Sequence, residues 1–205
     1  TGLPDDFTQY EAHLTGLSAS TRYTYDILMG GADATPGQDA FTTAPRDGSG
    51  TVRFIAFGDS GVGSTAQTQL AARMAADTFD LALHTGDVAY GNANLVGGAS
   101  YTQYNDWLFG VYSWMRSRPL YPSIGNHDTG ETEDRDDRAQ VEDNFYIRER
   151  MAAEAARGRA SFEPGLFYRF RYGPKIEFVC IDTSKEQMFA KRLFEYPKHR
   201  EFIES

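Results

Sequence analysis

The chain has 205 residues, 40% of them hydrophobic and 24% charged, which is enough for one large domain or one and a half small ones. Twenty Lys and Arg against 29 Asp and Glu leave a formal charge of −9, which argues against nucleic acid or an anionic membrane as partner, since both select basic surface. No apolar run reaches the roughly 20 residues of a spanning helix, the opening TGLPDDFTQY lacks the basic and apolar regions of an export signal, and the single cysteine, Cys180, excludes an intrachain disulfide or a thiolate zinc site.

Residues 1–45 read as an all-β segment. FTQYEAHLTGL, RYTYDILMG and DAFTTAP are β-branched and aromatic runs between Gly, Ser and Asp clusters, the pattern of three antiparallel strands. Within them Leu17, Thr21 and Tyr23 resemble the Leu-x-Pro-x-Thr-x-Tyr stretch of fibronectin type III domains, with Ala19 at the proline position. That stretch carries the tyrosine corner of such sandwiches. The resemblance implies a partial sandwich whose first strands lie upstream of Thr1. APRDGSG, residues 44–50, is a linker by composition.

After the linker the period changes. TVRFIAF is a strand, TAQTQLAARMAAD a helix with Leu70 and Met74 on one face, and LALHT a second strand, together a βαβ unit. YTQYNDWLFGVYSWMRS sets Tyr104, Trp107, Leu108, Val111 and Met115 at helical spacing, with Trp107 and Trp114 as core anchors, and LYPSI is a third strand. Residues 130–163 are dense in both charge signs and predict a solvated loop leading into an amphipathic helix from about Gln140 to Ala156. GLFYRFRYG and KIEFVCID form a hairpin about Gly173 and Pro174, with Cys180 as a small buried hydrophobe. YPKHREFIES opens a last helix that exposes His199.

Three strands end alike: TVRFIAF runs into GDSG, LALHT into GDVAY and LYPSI into GNHD. Helical connections make the strands parallel, so their C-terminal ends share one sheet edge, where open α/β sheets place their sites. The glycines permit sharp exits, and Asp59, Asp87 and Asn126 follow them. Gly, Asn and Asp are also ordinary turn residues, but turn chemistry does not account for His127. Adjacent carboxylates repel unless a cation lies between them, and an all-oxygen set favours hard metal ions. Such a metal would also supply the positive centre that an anionic substrate needs on an acidic chain. Tyr90, three residues after Asp87, faces the same place; a phenol with a pKa of about 10 ligates as phenolate only on a strongly Lewis-acidic ion, for which ferric iron fits best.

Asp59-Ser60-Gly61, Gly86-Asp87-x-x-Tyr90 and Gly125-Asn126-His127-Asp128 resemble the first three blocks of the purple acid phosphatases, within the calcineurin-like metallophosphoesterases. The resemblance implies a mixed α/β layered sheet with flanking helices over residues 51–205, preceded by the fibronectin-like segment. It implies a phosphate ester substrate and a dinuclear centre of ferric iron with ferrous iron, zinc or manganese. Asp59 and Tyr90 would bind the ferric ion, Asp87 would bridge, Asn126 would hold the second metal, and His127 would contact the phosphate while a hydroxide on the metals attacks phosphorus. It also implies action outside the cytoplasm.

The family completes its metal shell with three further histidines, and none of His13, His84, His127 and His199 stands in such a motif. His84 reads as a packed strand residue, or one that supports the metal ligands from behind, rather than a ligand. The chain is therefore expected to be a fragment that binds metal weakly and turns over poorly, if at all, and histidine motifs after Ser205 would settle the family. Two other readings stay open: a related enzyme acting on diesters or nucleotides, and a noncatalytic binding or adhesion module in which Asp59, Asp87, Asn126 and His127 are turn residues.

Overall fold

A computed structural model describes residues 8, 10–35, 37, 39–46, 50–91, 100–128, 139–145, 152, 168–181 and 203–204, with the backbone alone at 139, 140 and 142. In the front segment, β1 (Arg22–Tyr25) pairs antiparallel with β4 (Asp39–Thr42), and β2 (Leu28–Met29) with β3 (Ala32–Asp33). Tyr23 and Tyr25 alternate inward along β1 and meet Phe41 of β4 at ring centroids 5.8 and 6.1 Å away. The Ser18 N–H donates to the Tyr23 hydroxyl at 2.8 Å.

Two expectations change here. FTQYEAHLTGL contains no strand among its described residues, and its Tyr10 and Leu14 are exposed, so its apolar side chains have no sheet face to fill. RYTYDILMG splits at Asp26 and Ile27: β1 pairs with β4, and Leu28–Met29 turns back through Gly30 and Gly31, both at positive φ (60° and 85°), into a two-residue hairpin with β3.

Three parallel strands form the central sheet in the order β5 (Phe54–Phe57), β6 (Leu81–His84), β7 (Leu120–Pro122). Phe57 registers with His84 and His84 with Pro122, so the three strands end level. β6 lies in the middle with Leu81 and Ala82 fully buried, the continuous apolar run expected of a strand covered on both faces.

Between β5 and β6 runs α1 (Thr65–Ala75), capped by Ser64, whose side chain accepts the Gln67 N–H. Its buried stripe is Gln67, Ala71 and Met74, whereas Leu70, expected inward beside Met74, is 44% exposed at the stripe's edge. Gln67 is buried because it is fully used: its side-chain oxygen accepts the N–H groups of Val62 (3.1 Å) and Gly63 (2.7 Å), and its amide donates to the Trp107 carbonyl.

The single helix expected over YTQYNDWLFGVYSWMRS is broken. α2 (Tyr101–Tyr104) passes into a π-turn at Asn105–Phe109, closed by the Gly110 N–H on the Asn105 carbonyl (2.8 Å), and a 3₁₀ turn comes next at Ser113–Arg116. The extra residue rotates the downstream segment. Tyr104, Leu108, Tyr112 and Trp114 are buried, while Trp107, Val111 and Met115 are only partly so.

β8 (Tyr168–Arg171) and β9 (Glu177–Cys180) form the expected antiparallel hairpin. It lies against the sheet: Phe170 stacks on Tyr121, Phe178 meets Phe54 edge-on, and the Tyr168 hydroxyl donates to the Pro122 carbonyl at 2.6 Å. Cys180 is buried there, 3.2 Å from the Ser123 hydroxyl. α3 (Ala139–Asn144) covers the start of the helix expected from about Gln140 to Ala156, whose remainder lies outside the described residues except Phe145 and Ala152. His199 also lies outside them; 203–204 are helical. Among the described residues no helix is long and apolar enough to cross a membrane.

Candidate active site

The β5–β6 ladder does not stop at the strand ends. The Thr85 N–H donates to the Phe57 carbonyl (2.8 Å), Asp59 N–H to Gly86 (3.2 Å), Ser60 N–H to Asp87 (3.4 Å) and Tyr90 N–H to Gly61 (2.8 Å), so two irregular exits remain zipped together. Two glycines permit this approach. A Cβ on Gly61 would lie 2.1 Å from the Val88 carbonyl oxygen, and one on Gly125 would lie 2.1 Å from Asp87 Oδ1 and 2.2 Å from its backbone nitrogen. Asp59 and Asp87 both take left-handed backbone angles (φ 54° and 50°), which Asp tolerates better than most residues but which still cost about 1 kcal/mol each.

These turns bring two carboxylates to one phenol. The Tyr90 hydroxyl lies 3.1 Å from Asp59 Oδ1 and 3.0 Å from Asp87 Oδ2. One O–H proton cannot serve both acceptors fully, and both distances exceed the 2.5–2.7 Å typical of a hydroxyl on a carboxylate. Partial burial and the two carboxylates push the phenol well above its ordinary pKa, so Tyr90 is a neutral donor here.

The third strand exit meets the same cluster. Asn126, His127 and Asp128 form a 3₁₀ turn after β7, and the His127 N–H donates to Asp87 Oδ1 at 3.0 Å. Asn126 and His127 are exposed at this edge, and the His127 ring lies 4.8 Å from that of Tyr90. Tyr90 thus touches Asp59, Asp87 and His127, and His127 is bonded to Asp87, with Asn126 next to His127 in the same turn.

Two further residues matter here: Asp128, to which the sequence reading gave no role of its own, and His84, read as packed or as supporting the metal ligands from behind. Asp128 is 1% exposed and accepts the N–H groups of Val88 (2.9 Å), Ala89 (3.3 Å) and Gly125 (2.8 Å) and the Tyr104 hydroxyl (3.1 Å), pinning the GDVAY turn to GNHD. Burial pushes its carboxyl up to about 7 against the pull of those N–H groups. A carboxylate directly after the histidine of GNHD was the available signal.

His84, also 1% exposed, accepts the Gly86 N–H on Nδ1 (3.3 Å), so its proton sits on Nε2, which donates to Ser60 Oγ (3.1 Å). Burial lowers its pKa to about 4. It is a packed strand residue, as expected, and it also connects two of the turns.

Chemically, the cluster offers two carboxylates, a phenol and a neighbouring amide, all oxygen donors of the kind that suit a hard cation. The convergence of two carboxylates on one oxygen is the feature that a cation would relieve. Among the described residues no group of three His, Cys, Asp or Glu could hold a metal ion, so any metal site here draws on Tyr90 and Asn126 as well.

No family model matches the chain, and no curated protein matches it. Among solved structures, one titled "Structure of PhoD" is similar with a TM-score of 0.48 at 18% sequence identity. The alignment covers 83% of this chain and 38% of that chain, so this chain spans well under half of that protein's length. At that level of likeness a functional reading rests on the residues themselves.

Proposed function

We propose that the protein is a metal-dependent phosphohydrolase of the purple acid phosphatase type, acting on phosphate monoesters. The observation that carries this reading is the Tyr90 hydroxyl shared between Asp59 Oδ1 and Asp87 Oδ2. Asp59 and Tyr90 would hold ferric iron, Asn126 would hold a second ion, ferrous iron, zinc or manganese, and Asp87 would serve both. When bound, the metal pair supplies Lewis acidity to the phosphoryl oxygens and a water of lowered pKa.

The chain's own residues do the rest. Asp87 holds the His127 backbone through its N–H, which keeps the imidazole at the cluster's open side. From there His127 binds the phosphate and delivers a proton to the leaving oxygen. The Ser18–Tyr23 bond supports residues 1–45 as a fibronectin-like unit ahead of a catalytic unit over 51–205. The protein acts outside the cytoplasm; an intact gene product without an export signal would count against this.

The test, made in the complete protein, is a contrast between two variants assayed for bound metal and for hydrolysis of an aryl phosphate monoester and the matching diester. His127→Ala keeps its metal while turnover falls ~10²–10⁴-fold. Asp87→Ala loses metal. Equal metal loss in both makes His127 a ligand or a structural residue, and faster hydrolysis of the diester replaces the monoester reading. A tyrosinate-to-ferric colour supports the iron assignment, and a colourless, fully active manganese or zinc form removes it.

A further inference from the structure

We infer that His84 is a positioning residue whose ring is a strut that sets the separation between the Asp59 and Asp87 turns. The inference rests on the proposed function for its consequence in metal binding, but its geometry stands apart from it. Ser60 directly follows Asp59, and Gly86 directly precedes Asp87. His84 takes the Gly86 N–H on one ring nitrogen and gives its proton to Ser60 Oγ from the other. A single rigid five-membered ring thus spans the two turns from beneath.

Three observations make the strut matter. Both aspartates hold left-handed backbone angles, which persist only where the surroundings over-determine them. The direct backbone bonds between the turns are long, 3.2 Å from Asp59 to Gly86 and 3.4 Å from Ser60 to Asp87. The ring itself cannot swing: Phe57 lies edge-on at 4.6 Å, and burial leaves no water to take over either hydrogen bond. Outer residues that orient a metal's ligands typically govern 10–100-fold of its affinity. His84 therefore acts through Asp59 and Asp87 and touches neither substrate nor metal.

Replacements separate the strut from mere packing. His84→Phe keeps the ring volume and loses both hydrogen bonds, whereas His84→Gln can restore a donor at the Nε2 position at some cost in shape. If His84 only fills space, Phe is the better substitute; if it is a strut, Gln is. The experiment compares wild type, His84→Phe and His84→Gln by amide hydrogen exchange at Asp59 and Ser60 without metal, then by manganese titration. Expected for His84→Phe are exchange at both amides at least ~10-fold faster with Leu81 unchanged, and manganese affinity ~10–100-fold weaker, with His84→Gln recovering most of both. Should His84→Phe not fold, Ser60→Ala removes the accepting oxygen alone and must show the same pattern in smaller measure.

His84→Phe with wild-type exchange at Asp59 and Ser60, or Phe outperforming Gln, overturns the inference. Complete protein that binds no manganese while the exchange pattern holds overturns the proposed function and leaves the strut standing.

Discussion

The two ends of the central sheet are built on opposite principles. At the N-terminal end charges are answered. Arg53 and Asp80 exchange hydrogen bonds (Arg53 N–H to Asp80 Oδ2 and Asp80 N–H to the Arg53 carbonyl, both 2.8 Å), Arg116 donates twice to Asp39, and the Arg118 guanidinium lies 4.3 Å over the Phe79 ring. At the C-terminal end two carboxylates share one phenol, two aspartates hold left-handed angles, and a third acid is buried. One end is largely relaxed, apart from Arg118 Nη1, which is buried without a hydrogen-bond partner, and it anchors the front segment; the other concentrates strained backbone and crowded acids.

The largest test of this contrast is Asp128→Ala. It leaves three N–H groups and the Tyr104 hydroxyl without their acceptor, at about 1–3 kcal/mol for each group that water cannot reach, so a loss of roughly 3–5 kcal/mol is expected in urea unfolding. A loss under about 1 kcal/mol would mean that the turns hold without it. Gly61→Ala comes next. Its Cβ meets the Val88 backbone, which cannot rotate aside, and about 1–3 kcal/mol of overpacking is expected, together with a changed Tyr90 environment in near-ultraviolet absorbance.

The pH dependence sharpens the same comparison. His84 stays neutral in the fold down to about pH 4, whereas in the unfolded chain it takes a proton below about 6.5. The unfolded state then binds more protons, so stability falls as pH drops from 6.5 to 4 and levels off below, by at most about 3 kcal/mol. Subtracting the profile of His84→Gln, which cannot titrate, isolates this slope; coincident slopes would show that His84 titrates normally. Smallest is Tyr25→Phe at the relaxed end, which removes the bond to the Arg116 carbonyl for about 1 kcal/mol and leaves metal binding unchanged. Arg116→Ala should likewise affect only the front, read as faster proteolysis of residues 20–45. Altered metal binding in either variant would couple the two ends.

What the sequence made legible was local. A β-period run, then glycine, then an oxygen donor is a pattern of a few adjacent residues, and the level endings of β5, β6 and β7 result once the strands are parallel. The same holds for the hairpin about Gly173 and Pro174, set by turn residues.

The rest depended on partners far along the chain. Asp128 and His84 look like an ordinary turn acid and a strand residue until Val88, Ala89 and Tyr104, or Ser60, are placed beside them. Leu70 lost its inward position to Gln67, a polar residue that wins burial only because Val62, Gly63 and Trp107 supply its partners. FTQYEAHLTGL has strand composition, but composition alone does not make a strand where no neighbour pairs with it.

The π-turn at Asn105–Phe109 sets the phase of the segment behind it. The π-turn absorbs one residue more than a regular α-helix would hold, and forcing the same residues into an unbroken α-helix would swing everything downstream by about 100°. Tyr112 and Trp114 would leave Phe57, which they now meet at ring centroids of 5.3 and 6.2 Å, and Phe57 is the residue that edges the His84 ring. A change that straightens Asn105–Phe109 into a regular helix without removing a residue, remote in sequence from every aspartate of the cluster, would therefore reach the site's turns through three aromatic contacts, whereas deleting one residue there leaves those contacts in phase.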